Sequence, residues 1–167
     1  MQRRQFIYTA AAAAAASSFS GMSMAQDTSR PLRIVVPFPA GGPTDMVPRN
    51  MQDVLIKLLG GQAVVIENKA GAGGSIGMAE VARATDGVTF GIATLSTHGV
   101  NPAVFKKLPY DAINDFVGVT EIVKAPGVLV INPKLIPVKT FAEFVAYLKA
   151  NPGKVSYATP GNGTIGH

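Results

Sequence analysis

The chain of 167 residues contains no cysteine. That excludes a disulfide framework, a thiolate metal site, a cysteine nucleophile and a lipid-modified cysteine after export, so an exported product is expected to be soluble. Histidine is nearly as scarce, with two residues, His98 and His167. No second His, Asp or Glu stands at metal-ligand spacing from either, so no metal and no other cofactor is expected. Charged residues make up only 15% of the chain. The formal net charge is +5, and two of the positive residues, Arg3 and Arg4, fall in a leader that is expected to be removed. The mildly basic remainder has no Lys/Arg cluster interleaved with aromatics, which takes away the footprint of a nucleic-acid binder.

Residues 1–25 read as a signal peptide. Arg3-Arg4 forms the charged end, Phe6 to Ala16 an alanine-rich apolar core, and Ser23-Met24-Ala25 a small-x-small site cleaved after Ala25. The apolar core is too short and too weakly apolar to span a bilayer. Arg3-Arg4-Gln5-Phe6-Ile7 also looks like a twin-arginine export motif. No Ser or Thr precedes the arginines and Tyr8 stands where a Lys often sits, so the general secretion route stays open. Beyond the leader there is enough chain for one ordinary domain.

The rest of the sequence is organised around Ile34 to Asp45. Ile34-Val35-Val36 is β-branched throughout and too short for a helix, which predicts a buried strand. Two prolines and two glycines then forbid regular structure. Thr44 and Asp45 come next as an expected helix N-cap pair, ahead of Val47, Met51, Val54, Leu55 and Leu58 at helical spacing. A strand, a Gly-Pro loop and a helix start together aim backbone N–H groups and the positive end of a helix dipole at one crevice, which suits a carboxylate or phosphate. The bland alternative is a crossover loop that needs Gly and Pro for its shape alone.

Downstream, Pro48 is expected in the first helical turn, where its missing N–H costs little, and Gly60-Gly61 ends the helix. Ala63 to Glu67 predicts a second strand, and Asn68 to Gly74 a glycine-rich loop. Ser75 is a candidate cap for a helix running to about Ala84, and Thr89 to Ala93 predicts a third strand. The order βαβαβ with near-continuous apolar strands is the pattern of a parallel sheet covered on both faces, an α/β fold. A short helix is expected within Asn101 to Lys107, and strands at Val117 to Val123, Gly127 to Ile131 and Val155 to Ala158. Thr140-Phe141-Ala142-Glu143 reads as a capping box opening a helix with Phe141, Phe144, Val145 and Leu148 inward, stopped by Asn151-Pro152-Gly153.

Two glycine motifs match known fingerprints. Gly161-Asn162-Gly163-Thr164-Ile165-Gly166 has the G-x-G-x-x-G spacing of a dinucleotide site, but no helix, second strand or acidic residue comes after it. Gly73-Gly74-Ser75-Ile76-Gly77 has the G-x-S-x-G spacing of a nucleophile elbow, which needs its Ser directly between strand and helix; here a long loop intervenes. A hydrolase using Ser75 is thus a weak alternative, and His98 reads more simply as a loop residue. What remains is four loops, Phe38 to Thr44, Gly71 to Ser75, Thr94 to His98 and Gly161 to Thr164, each after a predicted strand. Each is rich in neutral donors. In an open parallel sheet such loops gather at the carboxyl ends of the strands, where ligands bind. Gly41, Thr97 and Asn162 are expected to border one hollow that grips a small anion.

The stretches V-V-P-F-P-A-G-G-P-T-D (Val35 to Asp45), V-I-E-N-K-A-G-A-G-G-S-I-G (Val65 to Gly77), S-T-H-G-V-N-P (Ser96 to Pro102), K-K-L-P-Y-D (Lys106 to Asp111) and G-N-G-T-I-G-H (Gly161 to His167) carry a resemblance. In that order they closely resemble the Bug, or TctC-like, family of extracytoplasmic solute receptors of tripartite tricarboxylate transporters, over essentially all of residues 30–167. The resemblance implies a two-lobed fold of the type II periplasmic-binding-protein kind. It also implies a periplasmic location, no enzymatic activity, and closure on a small organic acid that is handed to membrane permease subunits. The complete receptor is expected to be a monomer. By position, Phe38, Pro39, Ala40, Gly41, Gly42, Thr44 and Asp45 would hold the ligand carboxylate, partly through waters. Ser96, Thr97 and His98 would line the first lobe's side of the cleft, and Gly161, Asn162, Gly163 and Thr164 the second's.

Two departures stand out. Thr85-Asp86-Gly87 replaces the family's usual Pro-Asp-Gly, and family members are about twice as long. Residues 26–103 then correspond to the N-terminal part of the first lobe and 104–167 to an incomplete second lobe. The chain is expected to be truncated after the start of that lobe, with sheet edges and apolar faces uncovered, and to bind poorly or fold unstably alone. A non-functional receptor remnant is the matching alternative.

Overall fold

The computed structural model describes residues 30–167. The expected signal peptide and its cleavage after Ala25 lie outside the described residues. Three parallel strands form the sheet: β1 (Leu32–Val36), β2 (Val64–Asn68) and β3 (Thr89–Gly91), in the order β2-β1-β3. The central strand pairs Leu32 with Val64 through Val36 with Asn68 on one side, and Arg33 with Thr89 through Val35 with Gly91 on the other.

Side chains on a strand alternate between faces. Arg33 points to the same face as Glu67 and reaches Glu80 of α2 (Ser75–Arg83) at 2.8 Å. Asn68, of opposite parity to Glu67, instead bonds Asp45 and Arg49 of α1 (Pro43–Leu58) at 2.9 and 2.8 Å. The two helices therefore cover opposite faces. Val35 and Val36, pointing to opposite sides, are both fully buried, as the β-branched run predicts. On the α2 side, Met78 and Ala79 pack with Tyr110, with Val81, Leu108 and Phe116 around them.

Local details depart from the expectations in instructive ways. Helix α1 begins at Pro43 with Gly42 as its N-cap, so Thr44 and Asp45 are its second and third residues and cap nothing from outside. Pro48 accordingly lies inside the helix, beyond the first turn. Gly74, not Ser75, caps α2, because Ser75 already has helical backbone and its hydroxyl turns back to the Ala72 carbonyl at 2.7 Å. The 94–104 region forms a wide π-type turn at Ser96–Val100 running into the short helix α3 (Asn101–Val104).

The expected strands at Val117 to Val123, Gly127 to Ile131 and Val155 to Ala158 do not form. A strand needs a hydrogen-bonding neighbour, and none stands beside these segments among the described residues. Val117, Val119, Val128 and Val130 are all at least three-quarters exposed, with Val119 at 76% the least so. Helix α4 (Phe141–Ala150) does form, and its capping box is complete: the Glu143 N–H donates to Thr140 at 3.2 Å, and Glu143 accepts from the Thr140 N–H at 3.3 Å. Its apolar face meets nothing deep. Phe144, Val145 and Leu148 are half-buried and Phe141 is exposed, a correction to the inward set expected from spacing.

Candidate functional site

The carboxyl end of β1 runs directly into Pro37, which is fully buried, and Phe38. Strand order reverses at β1, since β2 lies on one side and β3 on the other, and crevices in open α/β sheets open at such a point. The glycine-rich turn Ala72–Gly74 comes up beside it from β2. Gly74 has φ +92°, and a Cβ there would stand 2.6 Å from the Thr97 methyl, 3.3 Å from Pro37 and 3.4 Å from Phe38. Only a residue without a side chain lets these three loops meet.

Two polar centres hold the loops in place. The first is Asp45, buried at the start of α1. One carboxylate oxygen accepts from the Gly41 N–H and from Arg49, both at 2.8 Å, and the other accepts from Asn68 at 2.9 Å. Arg49, then the Gly41 N–H, then Asn68 hold this carboxyl well below the usual carboxylate range. Asp45 is thus committed to shaping the 38–42 loop, with Asn68 also donating to the Phe38 carbonyl at 3.0 Å. The second centre is Asn101, fully buried, whose amide nitrogen donates to the Gly73 carbonyl at 3.0 Å and to Ser75 at 3.2 Å. Its Oδ1 has no partner among the described residues. Tyr110 closes the group by donating to the Thr97 carbonyl at 2.6 Å.

Between the loops lies a hollow of about 570 Å³. Of the residues expected from sequence, Phe38, Pro39, Gly161, Asn162 and Thr164 line it, together with Gly71 to Gly74 of the second loop. The others stand elsewhere. Ala40 and Gly41 are exposed, Gly42 and Thr44 are half-buried at the start of α1, and Asp45 lies beneath the loop. Thr97 is one layer behind Gly74, bonded to Thr94 and, at 2.8 Å, to Nδ1 of His98. The His98 ring packs edge-on against Phe116 at 4.8 Å, and burial lowers its pKa. Ser96 accepts from the Ile165 N–H at 3.1 Å, and Gly163 is buried against Phe105 and Asn101. Of Gly41, Thr97 and Asn162, expected around one hollow, only Asn162 lines it.

Sequence reasoning missed Ala70, Phe105 and Pro160, which also face the hollow. Apolar residues outside glycine motifs carry no local signal of this placement. It missed Asn101 as well, although a polar residue just before Pro102 in an otherwise apolar stretch was a visible cue. Ser75 is buried, donates to Ala72 and accepts from Asn101, and its hydroxyl is not paired with histidine. Among the described residues no group of acidic, His or Cys side chains is arranged to hold a metal, and no helix is long and apolar enough to cross a membrane.

Residues 47–167 match the family described as tripartite tricarboxylate transporter family receptor, TctC. Protein BugT of Bordetella pertussis is 39% identical over 140 residues, which is 83% of this chain and 42% of BugT. Three solved structures share the fold. A Rhodopseudomonas palustris protein with adipate is 35% identical (TM-score 0.69, covering 75% of this chain and 42% of that one). MatC of the same organism, with bound malate, is 36% identical (TM-score 0.61, 72% and 41%). The periplasmic binding protein BugD is 31% identical (TM-score 0.64, 81% and 45%). The chain spans less than half the length of each of these proteins. On the sheet order, the loop cluster and these likenesses together, the chain belongs to the TctC family of tripartite tricarboxylate transporter receptors.

Proposed function

We propose that this protein is a periplasmic receptor that captures a small carboxylate-bearing metabolite and hands it, unchanged, to the membrane permease subunits of a tripartite tricarboxylate-type transporter. The observation that carries this reading is the hollow itself. It sits at the carboxyl end of the central strand, is walled by glycine turns and bears no charged side chain. Neutral N–H and amide donors suit a carboxylate that must be released again, since each contributes modestly and none locks the ligand as a buried ion pair would. Phe38, Pro39, Gly161, Asn162 and Thr164 are the proposed contacts that this placement favours. Ala40 to Asp45, Ser96 to His98 and Gly163 then act from behind, by shaping the loops. The two lobes are proposed to divide near residue 103, with 104–167 belonging to the second, and cleavage after Ala25 releases the receptor to the periplasm as a monomer. Solved relatives holding adipate and malate support a carboxylate as the ligand class.

The test is isothermal titration of the receptor, expressed from its complete reading frame, against a panel of mono-, di- and tricarboxylates. A micromolar or tighter dissociation constant for at least one acid is expected. Silence across the panel would overturn the proposal.

A further inference from the structure

Resting on the receptor reading above, we infer that the hollow selects carboxylates with an apolar body, a plain alkyl or aryl chain, over hydroxylated acids of the same length and charge.

The wall of the hollow is mostly apolar. Two aromatic rings, Phe38 and Phe105, and two prolines, Pro39 and Pro160, face the space, with alanines and glycines between them. Only two lining side chains carry polar atoms, Asn162 and Thr164. The Thr164 hydroxyl proton is already used, donated to the Gly161 carbonyl at 2.6 Å, and the Thr164 N–H goes to the same residue at 3.2 Å. The Gly74 N–H is likewise taken by the Gly71 carbonyl at 2.9 Å. What is left on the side chains of the wall is one amide, that of Asn162, so each hydroxyl of a ligand would have to find its partner on loop backbone.

Each hydroxyl brought against the apolar part of such a wall gives up water without finding a partner. A methylene in the same place gains from leaving water and from contact with the rings. Apolar pockets reject an added hydroxyl by up to about 100-fold, so a ligand with several should lose at least about tenfold here.

The probes are adipate and galactarate, which share a six-carbon dicarboxylate skeleton and differ in four hydroxyls. Titration of the receptor from its complete reading frame should show adipate binding at least about tenfold tighter than galactarate. Galactarate binding as tightly as adipate, or more tightly, would overturn the inference while leaving the receptor reading intact. If neither probe binds, nor any acid of the wider panel, the receptor reading falls and this inference with it. Phe105→Ser exchanges a ring for a hydroxyl at the wall and should narrow the adipate preference by at least about threefold. An unchanged ratio in a folded variant would count against the inference. Because Phe105 also packs on Gly163, folding of the variant is checked by circular dichroism, and the wild-type pair of titrations decides the matter without it.

Discussion

The side-chain amide of Asn101 donates to the backbone carbonyl of Gly73 at 3.0 Å, joining the start of α3 to the glycine-rich turn 28 positions before it in the chain. The same nitrogen lies 3.2 Å from the Ser75 hydroxyl, and the whole residue is sealed from solvent. Asn101→Ala should therefore strand the Gly73 carbonyl without its partner and lower unfolding stability by about 1–3 kcal/mol, read from urea denaturation. Asn101→Asp should cost at least as much, because it removes the donor and sets a buried negative charge beside that carbonyl. Wild-type stability in both variants would show that the contact is idle.

Asp45 makes stability depend on acid. Its carboxyl is held below the ordinary value of 3.8 by Arg49, the Gly41 N–H and Asn68. A group depressed in the folded state contributes fully above its unfolded pKa and loses that contribution as pH falls through the folded one. The melting temperature should thus be flat above about pH 5 as far as Asp45 is concerned and fall at more acidic pH. Glu67, drawn down mainly by its bond to Arg33, and Asp111 act in the same direction. Asp45→Asn should lower stability at neutral pH and make the acid limb shallower. A parallel shift of the whole curve, with the acid slope unchanged, would be the contrary result.

Gly74 and Gly41 offer a matched comparison, both being left-handed, at φ +92° and +82°. A side chain at Gly41 meets open space, whereas one at Gly74 collides with the Thr97 methyl. Gly41→Ala should cost about 1–2 kcal/mol from backbone conformation alone. Gly74→Ala should cost about 2–5 kcal/mol, because overpacking adds to the same strain. Equal losses in denaturant titrations would mean that the Thr97 contact gives way freely.

The strands and helices around β1 were legible because burial on both faces leaves a continuous β-branched run, and Gly60-Gly61 punctuates the helix before β2. The capping box at Thr140 was equally legible, since it is a short-range arrangement that needs no tertiary partner. Val117 to Ile131 misled for the converse reason. Its residues favour strand, yet strand formation is a property of pairs, and no neighbour is present among the described residues. Within the site, the glycine turns and Asn162 announced themselves through motif chemistry. The behaviour of Asp45 did not, because the cue for an N-terminal acid is the same whether it greets a ligand or braces its own loop. Only the positions of Arg49 and Asn68 separate the two.

The crowding of Pro37, Phe38 and Thr97 around Gly74 divides the surroundings of the hollow for anyone wishing to re-engineer them. Those four positions interlock, so a change at one demands answering changes at the rest. Ala70 and Pro160 look onto the hollow without sharing that knot, so substitutions meant to reshape the hollow should begin with them.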